Sequence, residues 1–378
     1  MGAVNGANTV ITDADGWALA DGHGAQSLTM LCDLLRKRIV ADGPITVADY
    51  MADCLMHPEY GYYTHQEVFG RQGDFVTAPE ISQMFGEMVS LALGSAWQAQ
   101  GSPKNAVLVE LGPGKGTLMR DLRRIAPAIS GFEQLPVHML ESAPKLRNIQ
   151  AASILGVIHH SDISSLPQAP LFLIANEFFD ALPIRQFCRT EGAWEEVLVG
   201  ERGGTLSFGR AAPQLFDFLT HRLDDTQPGD TVEYCPALTP VMAEISERIA
   251  VHGGAALIVD YGDWRSKGDT LQAIRDHKMA NPLTAPGMAD LTAHIDFEAI
   301  FNGAAPATAS RLTTQGVFLE RLGITQRAQA LAQKMTGTAL KVHIAAHRRL
   351  THPDEMGNLF KVMGLAVNAA GLPPGLEP

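Results

Sequence analysis

The run Glu110-Leu111-Gly112-Pro113-Gly114-Lys115-Gly116 closes an apolar stretch (106–111) and opens a helical one (117–125), in which Leu118, Leu122 and Ile125 share a face. A strand that ends in a glycine-rich turn and leads into a helix suits a nucleotide-like ligand. Its glycines admit close backbone approach, and the free N–H groups of the helix start favour anionic groups. The spacing here is E-x-G-x-G-x-G. It is no P-loop, because Lys115 precedes Gly116 where Ser or Thr is required. It is no dinucleotide fingerprint either, because the third glycine arrives one residue early. The competing reading is a tight strand–helix turn with no ligand.

Working outward, strand and helix alternate. Strands are predicted at 136–140, 157–159, 171–175 and 255–259. A helix bearing Leu146 and Ile149 follows the first of these. Another carries Val241, Ile245 and Ile249, starts at Thr239-Pro240 and stops at Gly253-Gly254. This repetition predicts an α/β fold, a Rossmann-like doubly wound sheet. Residues 187–208 alternate around Gly203-Gly204 and read as an inserted β-hairpin. Residues 359–367 read as a closing strand. Before the core, helices are expected from Ser27 and at 46–51 and 82–100, with a Gly- and aromatic-rich loop at 57–80. The expected layout is a mobile tail (1–26), an N-terminal helical and lid region (27–100), a ligand-binding core (101–265), a substrate lobe (266–350), and a closing strand with C-terminal tail (351–378).

The E/D-x-G-x-G-x-G form is typical of class I S-adenosylmethionine-dependent methyltransferases. Two acids fit that form. Glu141 ends the second strand, where a carboxylate accepts both ribose hydroxyls. Asp162 follows the third strand, where it is positioned for the adenine amine; the alternative for either is a solvated helix cap. The segment Asn176-Glu177-Phe178-Phe179-Asp180 ends the fourth strand, at the methyl-facing position of that class. Glu177 and Asp180 suit a cationic guanidinium, for which positioning matters more than acid–base help. The alternative for Asp180 is an N-cap beside core aromatics.

Composition narrows the partners. Lys+Arg is 29 and Asp+Glu 41, a net charge of −12, which argues against a surface built for nucleic-acid phosphates. No apolar run reaches the ~20 residues of a membrane helix, so no membrane insertion is expected. The four cysteines form no C-x-x-C pair, and no metal site is expected. The first 26 residues hold no Lys or Arg, which with the reduced thiols points to a bacterial cytoplasm. Oligomeric state leaves no mark in the composition.

Blocks in a fixed order carry a family resemblance: HPEYGYYT (57–64), GDFVTAPEIS (73–82), ELGPGKGTLMRDLRR (110–124), ANEFFDALPIRQF (175–187), PLTAPGMADLTAHIDF (282–297) and MGNLFKVM (356–363). The chain resembles the MidA-type class I methyltransferases, related to mitochondrial NADH:ubiquinone oxidoreductase complex assembly factor 7. The resemblance implies S-adenosyl-L-methionine as cofactor and an arginine of a protein as acceptor, such as a respiratory complex I subunit. It places Glu110, Gly112, Gly114, Gly116, Glu141, Asp162 and Asn176 on the cofactor. Asp74 and Thr77 would cover the cofactor's methionine end, with Thr77 or Ser82 as a plain N-cap the alternative. Glu177, Asp180 and His294 would serve the acceptor, with His294 in a structural polar network the alternative. Tyr60, Tyr62 and Tyr63 read as core or as channel wall. A small-molecule methyltransferase and a cofactor-binding assembly factor without catalysis are the competing functions, and a nucleotide-dependent oxidoreductase is disfavoured by the glycine spacing.

Overall fold

Short, fully apolar segments separated by helices can only be buried on both faces as parallel strands. Five segments here pair in parallel: β1 (Val107–Leu111), β2 (Val137–Leu140), β3 (Ile158–His160), β4 (Leu171–Asn176) and β5 (Gly254–Asp263), all largely buried except β3, a half-exposed edge strand. β6 (Phe360–Ala366) runs antiparallel to β5 and closes the set. The computed structural model describes residues 11–12, 18–19, 29–65 and 77–378. The expected tail lies largely outside these residues, apart from Ile11–Thr12, which pairs antiparallel with Ala18–Leu19.

The strand order is β6-β5-β4-β1-β2-β3. The chain winds from β1 outward to β3, then returns to β4 on the other side of β1. The switch in direction therefore falls between β1 and β4, and ligands of such sheets sit at the strands' carboxyl ends there. The register brings those ends level: Leu111 pairs with Ala175, and Asn176 with Val259. Helix α1 (Gln83–Ala99) covers one face. Ser82 caps it by accepting the Met84 N–H, and Met84, Phe85, Met88, Val89, Leu93 and Trp97 are buried along it. Helix α2 (Thr117–Ile125) leaves the glycine loop, and α3 (Pro144–Ser153) links β2 to β3. Glu87 of α1, almost fully buried, receives Arg124 at 2.8 Å and Arg327 at 2.6 Å. Burial pushes the Glu87 carboxyl up, but the two guanidiniums more than offset this and hold it below its usual range.

The helix α4 (Leu238–His252) ends at Gly253, and β5 begins at Gly254 with φ +115°. A Cβ at Gly254 would lie 2.1 Å from the Leu171 carbonyl oxygen of β4. The Gln100 amide clamps the same residue, donating to the Gly254 carbonyl (2.9 Å) and accepting its N–H (2.8 Å).

The chain divides into two compact units, each from three segments. One comprises the described parts of Met1–Gln66 with Leu182–Pro236 and Lys267–Ala293. The other comprises the described parts of Glu67–Ala181 with Ala237–Ser266 and His294–Pro378, and contains the parallel sheet. The expected hairpin exists: Arg185–Arg189, Trp194–Arg202 and Thr205–Arg210 form an antiparallel meander. It belongs to the first unit, not to the core as expected, because Ile45–Thr46 adds to its Trp194–Arg202 strand. Phe187, Trp194, Leu219 and Val232 form its core. In the same unit Tyr62 is fully buried, the core reading for one of the three tyrosines, and the half-buried Tyr63 donates its hydroxyl to Asp290 (2.9 Å). The stretch 266–350, expected as one lobe, is shared. Residues 272–292 form a three-stranded sheet in the first unit. Ile295–Asp296 instead pairs with the end of β5, and Arg327 ties its helix to Glu87.

Candidate functional site

Gly112, Gly114 and Gly116 all have φ between +52° and +77°, so the loop after β1 turns three times through backbone that side chains disfavour. At Gly112 a Cβ would lie 3.0 Å from the Phe178 ring. The loop lines a pocket with Thr77, Pro79, Glu80, Glu110, Lys115, Thr117, Asn176 and Glu177. The expected residues Thr77, Glu110, Gly112, Gly114, Asn176 and Glu177 thus meet at the switch point. Asp74 lies outside the described residues.

The pocket's chemistry is that of unmatched acceptors. Glu110 Oε2 and Asn176 Oδ1 are buried and have no hydrogen-bond partner among the described residues. Burial drives the Glu110 carboxyl well above its usual range, opposed by the Met119 N–H. Buried groups of this kind are otherwise almost always paired. Together the two oxygens fit a ligand that carries an ammonium. Thr77 starts the short helix Ala78–Ile81 without a side-chain cap bond, so its hydroxyl is not consumed as a cap. Glu80 accepts the Thr117 hydroxyl at 2.5 Å.

The turn after β4 is strained and acidic. Glu177 has φ +50°, rare for a side chain of its size. Its Oε1 accepts the Ala78 N–H (3.3 Å) and the Asn176 amide (3.2 Å). Withdrawal from water, and then the neighbouring Asp180 charge, push its carboxyl up to about 7; Arg349 opposes the shift. Asp180 is buried and raised to about 6 by desolvation, against a hydrogen bond from Tyr261. Asp260, within β5, is not among the residues expected from the sequence. Asp260 Oδ2 accepts the N–H groups of Phe179 (3.1 Å) and Asp180 (3.2 Å), so it clamps the turn that presents Glu177. Burial first, then Asp180 and Glu177, lift its carboxyl well above the ordinary range. The Asp180 charge thus opposes ionisation of both Glu177 and Asp260.

The other expected residues are not among those that line this pocket. Glu141, buried after β2, has Oε1 occupied by the Ala143 N–H (2.8 Å), and burial raises its carboxyl. Its Oε2 is turned toward Gln150 (3.4 Å). Asp162 is exposed and spent on a cap: Ser164 donates both N–H (2.8 Å) and hydroxyl (2.5 Å) to it, which holds its carboxyl low. The short turn that follows β3 supplies those donors locally, both to Oδ1. His294 packs edge-on to Tyr261, 5.2 Å between centroids. Burial, then Lys361, lowers its imidazole, so it reaches the acid cluster through Tyr261 and as a neutral ring.

Comparisons place this geometry among known proteins. The profile of a family described as "Putative S-adenosyl-L-methionine-dependent methyltransferase" matches residues 88–317. The chain is similar to "Protein arginine methyltransferase NDUFAF7, mitochondrial" of Xenopus laevis, 38% identical with 89% of this chain and 84% of that protein covered. The human protein of the same name is 35% identical, with 88% and 82% covered. A "COG1565 superfamily member and likely methyl transferase" from Burkholderia thailandensis, solved bound to S-adenosyl-homocysteine, superposes with a TM-score of 0.75. It is 28% identical, with 89% of this chain and 91% of that chain covered.

Proposed function

Because the chain belongs to this family of S-adenosyl-L-methionine-dependent methyltransferases, we propose that it methylates an arginine side chain of a protein substrate. The observation that carries the reading is the acid cluster Glu177, Asp180 and Asp260 at the ends of β4 and β5, beside the glycine-loop pocket. The unpaired Glu110 and Asn176 oxygens and the loop N–H groups suit the amino-acid end of S-adenosylmethionine. The bound donor supplies a methyl group on a positively charged sulfur. The chain's own part is to seat the guanidinium and to hold the proton that its nitrogen releases. Glu177, raised to about 7, is matched to both tasks near neutrality.

A respiratory complex I subunit is the proposed substrate, and a bacterial cytoplasm the proposed compartment. The named relatives are mitochondrial and lend the cytoplasmic placement no support. Among the described residues no helix is long and apolar enough to cross a membrane. The test is to incubate the protein with methyl-labelled donor and either purified complex I or a lysate, then analyse digests by mass spectrometry. Labelled methylarginine on a complex I subunit is expected. Label confined to small molecules would overturn the acceptor class, and donor binding without any transfer would leave a non-catalytic factor.

The raised carboxyl also sets a pH dependence. Glu177 must be ionised to hold the guanidinium, so kcat/KM is expected to fall about tenfold per unit below pH 7 and to level off above it. The apparent value belongs to the coupled cluster, not to Glu177 alone. A flat profile between pH 5.5 and 8 would remove the cluster from the reaction.

A further inference from the structure

Gln150, in α3, is fully buried although nothing in its helix requires an amide there. Its Nε2 donates to the Gly114 carbonyl at 2.6 Å and lies 3.4 Å from Glu141 Oε2. Its Oε1 lies 2.8 Å from His159 Nε2. The Gly114 carbonyl can only accept, so the nitrogen end of the amide faces the loop and the oxygen end faces His159. That in turn requires His159 to carry its proton on Nε2. The Gln150 stem also fills the space under the last turn of the loop, where a Cβ at Gly116 would meet its Cγ at 3.4 Å.

The planar trans peptide transmits this bond. The Gly114 carbonyl and the Lys115 N–H belong to one peptide group and point in opposite directions. Holding the carbonyl back against α3 therefore aims the Lys115 N–H away from α3, and Gly114 and Lys115 both line the pocket. We propose that Gln150 is a positioning residue for the methyl donor: through one amide it orients the glycine-loop donor for the amino-acid carboxylate and the Glu141 carboxylate for the ribose, with His159 fixing the amide's sense. The inference rests on donor binding and not on the identity of the acceptor.

The test measures S-adenosyl-homocysteine binding by calorimetry, and thermal melting without ligand, for the parent, Gln150→Glu and Glu141→Ala. At pH 8 the Gln150→Glu carboxylate faces the Gly114 carbonyl and Glu141, neither of which can donate. Affinity is expected to drop about 10- to 100-fold, the scale of one or two hydrogen bonds lost at a buried site. As pH falls toward 5.5 the new carboxyl gains a proton that it can donate, and affinity relative to the parent at the same pH is expected to recover. The ratio to the parent is the quantity read, because Glu141, His159, His160, Arg147 and Lys115 also face or flank this spot. Glu141→Ala is expected to weaken binding with no such recovery. Gln150→Glu binding within twofold of the parent at pH 8, or a loss unchanged by pH that tracks a lowered melting temperature, would overturn the proposal. Failure of the parent itself to bind S-adenosyl-homocysteine would overturn the reading beneath it.

Discussion

Glu177→Gln is expected to slow methyl transfer by about 10²- to 10⁴-fold, the usual range for removing a group that exchanges a proton in the reaction. Affinity for S-adenosyl-homocysteine should stay within about threefold, because the glutamine oxygen can still accept from Ala78 and Asn176. Stability separates this from simple damage. A carboxyl raised to about 7 binds more protons folded than unfolded between its ordinary value near 4.5 and 7. By linkage its contribution to stability is greatest below that window and is lost as pH rises through it. At pH 8 the native enzyme carries the burden of a desolvated charge that glutamine does not have. The melting temperature of Glu177→Gln at pH 8 is therefore expected to equal or exceed the parent's while turnover collapses. Positive φ at this position adds to the burden, as strain retained at a working site does. A variant that keeps more than a tenth of parental turnover would remove Glu177 from the proton's path.

Gly254→Ala is expected to destabilise the protein by more than about 4 kcal/mol, which for a chain of this size lowers the melting temperature by roughly 10 °C or more. The new methyl would meet backbone, not a side chain that can swing aside: the Leu171 carbonyl oxygen stands 2.1 Å away and its nitrogen 2.5 Å. Relief requires β4 and β5 to part where they support the acid cluster at their far ends. Gly253→Ala is the control. It also has positive φ, +88°, but its nearest neighbour is the Gln100 side-chain oxygen at 3.4 Å. It should lose only about 1–3 kcal/mol, the cost of holding a side chain in a sparsely populated backbone region (ψ −179°) without a clash. Thermal melts of the pair decide the matter, and an alanine at 254 that melts within about 2 °C of the parent would contradict the clash.

What was legible in the sequence was local. The glycine loop, the acid after β2 and the acidic turn after β4 are each contiguous, and strand–helix alternation places them on one sheet edge. Asp162 shows the limit of that logic, because an acid after a strand followed by Ser reads equally as ligand contact and as cap, and the Ser164 bonds appear only in the fold. Asp260 and Gln150 were invisible for another reason. Asp260 acts through N–H groups 80 and 81 positions away, fixed by strand register. Gln150 acts on a carbonyl 36 residues upstream. No periodicity marks an amide on a helix as buried and functional. The grouping of 266–350 as one lobe failed likewise, since the pairing of Ile295 with Gly262 and of Arg327 with Glu87 crosses distances that composition does not encode.

The interleaving of the two units constrains how the chain is made. Synthesis proceeds from the amino end, yet the first unit includes Lys267–Ala293 and the second is unfinished until β6, within eighteen residues of the end, lies beside β5. Until then the emerging chain carries β5, apolar along nearly its whole length, with one edge unpaired. Such an edge is the template on which strands of neighbouring chains add. A chain released before residue 360 carries the complete glycine loop and acid cluster on a sheet that has no means of closing itself.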